Sequence, residues 1–95
     1  MFVVLLKFSA NQGQAARLMD GHNQWIKSGF DEGVFLLVGS LQPSLGGSIL
    51  AHNTTLGALQ ERVNADPFVQ EHVVSAEILE IAPKKVDARL SFLLD

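Results

Sequence analysis

The chain contains no cysteine and no tyrosine, a single tryptophan and three prolines. Without cysteine there is no disulfide, no thiol nucleophile and no thiolate metal site, so an apolar core must hold the fold. Basic residues are few: seven Lys and Arg stand against ten Asp and Glu, for a formal net charge of −3. They are also scattered, whereas binding a phosphate backbone needs them clustered, so nucleic acid is not an expected partner. Long apolar runs are missing as well. The opening Met1 to Leu6 ends at Lys7, far short of the roughly 18 residues that span a bilayer. That run also lacks a basic leader, so it is not expected to act as a signal peptide. These absences leave no expected membrane partner and fit a cytoplasmic location.

What is present describes an ordinary globular chain, with 47% hydrophobic and 18% charged residues. Ninety-five residues suffice for one domain with a modest core. Residues 2–8 are apolar and rich in β-branched and aromatic side chains, which reads as a strand. Over residues 14–28, Ala15, Leu18, Met19 and Ile26 recur at helical spacing, with Gly29 as the expected C-cap. Residues 34–38 and 48–51 read as strands, separated by a loop over 41–47 that holds Pro43 and two glycines. Asn53 or Thr54 can cap a second helix whose buried stripe is Leu56, Leu59 and Val63. Residues 73–81 form the last expected strand, closed by Pro83. The order is βαββαβ, an α+β ferredoxin-like arrangement, over a domain of residues 1–83.

The first strand places Phe2, Val4, Leu6 and Phe8 on one face and Val3 and Leu5 on the other, and residues 34–38 are apolar on both faces. Strands of this kind need cover on both sides, yet two helices cover only one face of the sheet. A second copy packed sheet to sheet is the simplest cover, so a homodimer is expected. A tail follows over residues 84–95. In it Val86, Leu90, Leu93 and Leu94 fall at i, i+4, i+7 and i+8, the pattern of a short amphipathic helix. The tail either closes its own core or serves as an arm for a higher oligomer.

His22 is the polar exception on the first helix, four residues after Leu18 and four before Ile26, on the apolar stripe. A buried polar ring needs a hydrogen-bond partner, or it costs about 1–3 kcal/mol. A carboxylate suits it, because it selects one tautomer and stabilises the imidazolium. Asp66 continues the inward stripe of the second helix after Leu59 and Val63. Asp66 before Pro67 is also an ordinary helix start, with aspartate at the N-cap and proline at the first helical position. The two roles are compatible if one carboxylate oxygen caps and the other faces His22. His22 itself reads either as a satisfied core histidine or as an acid/base group. Trp25, three positions on, either lines a pocket beside His22 or covers the helix edge. His52 and His72 share no metal-ligand spacing with His22, so no metal is expected. Ser40 and Ser44 have no base beside them to make a nucleophile.

In these positions the chain resembles the YCII-related family of small α+β proteins over nearly its whole length. The residues that carry the resemblance are His22, Val38-Gly39-Ser40-Leu41, the segment from Gly46-Gly47-Ser48 to Ala51, and, most specifically, Ala65-Asp66-Pro67-Phe68-Val69. The tail from Asp87 to Leu93 is similar to that of stand-alone members. The resemblance implies a dimeric α/β barrel and a catalytic pair, His22 and Asp66; beside that pair, Trp25, Ser40 and Phe68 are the candidate substrate contacts. It implies cofactor-free proton transfer, an elimination or isomerisation on a small cyclic or chlorinated compound. One departure stands out: Met19 occupies a position where many relatives carry an arginine. The alternative from a different class is a non-catalytic dimer that binds a small ligand, or is purely structural, with His22 and Asp66 as a buried pair.

Overall fold

The computed structural model describes residues 1–94. Its strands are β1 (Phe2–Phe8), β2 (Phe35–Leu41), β3 (Gly46–Ala51) and β4 (Val74–Glu80). Its helices are α1 (Ala15–Asp31), α2 (Leu56–Asn64) and the single turn α3 (Pro67–Gln70). The sheet order is β2-β3-β1-β4 with every neighbouring pair antiparallel. This is the expected α+β, ferredoxin-like architecture. The even-numbered side chains of β1 explain how it is held. Phe2, Val4 and Leu6 are buried under the helices, where Leu59 and Val63 of α2 and Trp25 of α1 meet them in one core with Ile49 and Phe35.

Element ends differ from the sequence reading for local reasons. Helix α1 runs three residues further, because Gly29 lies inside it rather than capping it. The bare Cα of Gly29 lets the Phe35 ring sit directly against the helix. The left-handed turn comes at Gly33, with φ of +74°, just after the C-cap Glu32. Helix α2 is capped by Thr55 rather than by the expected Asn53 or Thr54, and the Thr55 side chain accepts from the Ala58 N–H at 3.2 Å. Glu32 and Arg62 then tie the ends of α1 and α2 through paired contacts of 3.1 and 3.2 Å. The Arg62 hydrogen bond, with that of Ser28, holds the Glu32 carboxyl below its ordinary range. The tie is therefore intact at neutral pH and released only as acid titrates that lowered group.

Strand β2 is longer than its apolar core, and the pairing shifts between Phe35 and Leu37. This bulge makes Leu36 the extra residue. Before it Phe35 faces the helices with Ala51, and after it Val38 faces them with Ile49. Leu37 is thereby turned to the open face. The expected amphipathic helix of the tail is replaced by 3₁₀ turns over Ala88–Leu94, interrupted at Leu90. Asp87 accepts from the Arg89 N–H at 2.9 Å, which starts the turns after Val86 and leaves that residue out of the stripe. Phe92 approaches the His52 ring edge-on at 5.5 Å, while Leu90 and Leu94 stay exposed.

Two glycines make testable contacts. A Cβ on Gly46, at φ of +133°, would fall on the backbone carbonyl of Leu6, and one on Gly29 would enter the Phe35 ring. Backbone cannot yield as a ring can. Gly46→Ala should lower stability by about 2–4 kcal/mol. Gly29→Ala should lose less, since overpacking of about 1–3 kcal/mol is offset by about 1 kcal/mol of helix propensity. Urea midpoints of the two variants give the order directly, and an equal or inverted order would contradict these contacts.

Candidate functional site

The C-terminal end of α2 stops at Asn64, and Asp66 turns the chain into α3 with an extended backbone (φ −65°, ψ 124°). Proline at the first position of α3 has no N–H to satisfy, and the next free amide, that of Phe68, donates to Asp66 Oδ1 at 3.0 Å. The cap forms as the sequence suggests. It also orients the carboxylate, which is fully buried.

The same oxygen serves His22. Nδ1 of the imidazole lies 2.8 Å from Asp66 Oδ1. The expected division of labour, one oxygen for the cap and the other for the ring, is therefore not what the fold adopts. Oδ1 takes both donors, and Oδ2 is buried with no hydrogen-bond partner among the described residues. A carboxylate can only accept, so the contact makes Nδ1 the protonated nitrogen and leaves Nε2 as the ring's other polar atom.

Aromatic neighbours fix the ring plane. Phe68 stacks on His22 with centroids 3.9 Å apart and planes 3° from parallel, and Trp25 lies on the imidazole at 5.8 Å. The imidazole is held by one hydrogen bond and by the faces of two large side chains, with only 13% of its side chain exposed. Helix spacing of three residues between His22 and Trp25, and the α3 cap that places Phe68 two residues after Asp66, build this arrangement locally.

His22 lines a cavity of about 340 Å³ between α1 and the helix-facing side of the sheet. Its floor is Leu6, Ile49 and Val74, and Ile26 and Met19 of α1 form part of its wall. Ser40, on the strand segment after the bulge, and Phe68 also line it. Trp25 does not. Its indole N–H donates to the Arg62 carbonyl at 2.8 Å, which turns it away into the seam between α1 and α2, so it covers the helix edge and packs the ring from behind. Asn23 borders the cavity as well. Nothing in the sequence singles it out except its place next to His22.

The other polar candidates lie elsewhere. His72 adopts φ of +59° and sits in the turn after α3, where its carbonyl accepts from the Asn11 N–H. His52 lies at the far end of β3 with the tail. Among the described residues, no three His, Asp or Glu side chains gather as metal ligands would. No described helix is long and apolar enough to cross a membrane. No family model matches the chain, and no curated protein matches it at a significant level.

Proposed function

We propose that the protein is a cofactor-free acid/base enzyme acting on a small cyclic compound, an elimination or isomerisation, with His22 as the proton-transfer group and Asp66 as its positioning carboxylate. The observation that carries this reading is the buried Asp66–His22 hydrogen bond of 2.8 Å on a ring that borders a cavity of about 340 Å³. Nε2 is then the atom that takes a proton from a bound molecule or returns it, the task that imidazole most often performs in general acid–base catalysis. The resemblance to the YCII-related family, with its His–Asp pair, supports the same assignment.

The protein is further proposed to act as a homodimer. On the face of the sheet away from the helices, Leu37 pairs with Leu50, Leu50 with Val3, and Val3 with Leu79. One apolar row thus crosses all four strands, and Leu37 and Leu79 are 50% and 45% exposed. Such a row on an uncovered face marks an association surface. A second copy of the sheet is the occupant that closed symmetry favours. The exposed Leu90 and Leu94 of the tail would extend this contact to a higher oligomer.

Two experiments test these proposals. Asp66→Asn retains an oxygen for the cap and for the ring but removes the charge. It should keep a melting temperature close to that of the parent while turnover, screened on lactones and chlorinated aromatics, falls by about 10²–10⁴-fold. His22→Asn should lose turnover to the same degree. Loss of stability in both variants, with no turnover in the parent, would favour the structural pair instead. In light scattering the parent should have at least twice the chain mass, and Leu50→Lys, at the centre of the apolar row, should have the mass of one chain. A monomeric parent sinks the dimer.

A further inference from the structure

We infer that the His22 cavity selects a neutral, mostly apolar ligand of up to about two fused rings and discriminates against carboxylates, with Met19 as a residue that sets this preference. The inference rests on the proposal that this cavity is the working site, and it names the class of molecule the site takes. None of the seven Lys and Arg side chains borders the cavity. The formal charges at the site belong to the His22–Asp66 pair, which is at most neutral: a protonated imidazole balances the carboxylate, and an unprotonated one leaves a buried negative charge. An anion entering the cavity meets no net positive charge in the first case and a like charge in the second, and such charges interact strongly where water is scarce.

The lining agrees with that charge balance. Floor and wall are mostly apolar, with Phe8 and Phe68 among the aliphatic residues, and the polar residues that border the cavity besides His22, namely Asn23, Ser40 and Ser48, are uncharged. These groups suit a carbonyl or hydroxyl on an apolar body rather than a carboxylate, which calls for a guanidinium or ammonium. Size narrows the class further. An apolar cavity of about 150 Å³ holds benzene, so about 340 Å³ accepts a bicyclic molecule. Met19 borders the cavity on α1, one helical turn before His22, with 40% of its surface exposed. A longer cationic side chain placed there could reach the cavity from its solvent side without disturbing the core.

A matched pair of probes decides the matter: 2-tetralone, a neutral bicyclic ketone, and tetralin-2-carboxylate, its anionic counterpart. Near neutral pH, calorimetry should find the ketone bound at least about tenfold more tightly by the parent protein. Met19→Arg should narrow that ratio by about tenfold or reverse it. Carboxylate bound as tightly as ketone by the parent overturns the inference, and so does failure of both probes to bind at millimolar concentration. Exchange of the C1 protons of 2-tetralone for deuterium in heavy water reads the acid/base proposal separately. In that exchange the C–H bond breaks, its electron pair enters the enolate, the proton passes to Nε2, and a solvent deuteron returns to carbon. Selective ketone binding without His22-dependent exchange leaves the ligand class standing and removes the acid/base role. Exchange without charge preference does the reverse.

Discussion

Asp66 Oδ1 accepts two hydrogen bonds, from the Phe68 amide at 3.0 Å and from His22 Nδ1 at 2.8 Å, and the geometry of the site follows from that shared oxygen. The first bond starts α3 and so determines where the Phe68 ring stands. The second locks the imidazole tautomer. Because both end on one atom, the Phe68 ring and the imidazole are brought into near-parallel stacking at 3.9 Å. A helix cap is worth about 1 kcal/mol, a modest amount, but here it also sets the orientation of a buried carboxylate in a region of low dielectric, where an ion–dipole contact counts for more than it would in water.

The bulge in β2 has a comparable influence on the far side of the cavity. One extra residue, Leu36, reverses the facing of the rest of the strand. It sends Val38 and Ser40 toward α1 and Leu37 to the open face. The cavity wall and the apolar row on the opposite side of the sheet are consequences of the same inserted residue. A strand with strict alternation from Phe35 onward would put Leu37 under the helices and remove both features.

Much of the fold was legible in the residue order. Alternation in residues 2–8, the four-residue spacing of Leu18, His22 and Ile26, and the inward run of Leu59, Val63 and Asp66 are periodic signals, and periodic signals survive without knowledge of neighbours. Caps and element ends were less legible. Gly29 looks like a terminator until the Phe35 ring is seen to need its missing side chain, and Thr55 competes with two equally good capping residues directly before it. The tail misled for a related reason. Its apolar residues fit helical spacing, but the Asp87 side chain claims the Arg89 amide and starts a tighter turn. Trp25 shares a helix face with His22, yet its indole N–H found an acceptor on α2 that no local pattern announces.

The amino-acid order therefore settled the class of fold and the two inward polar residues, because hydrophobic periodicity and burial act through positions along one chain. Tertiary structure alone decided that a single oxygen of Asp66 serves both cap and imidazole, and that the cavity beside His22 is mostly apolar, with no Lys or Arg among its described lining residues. Those properties depend on distances between residues far apart in the chain, forty-four positions for His22 and Asp66. Such distances are set only when α1, α3 and the sheet pack together.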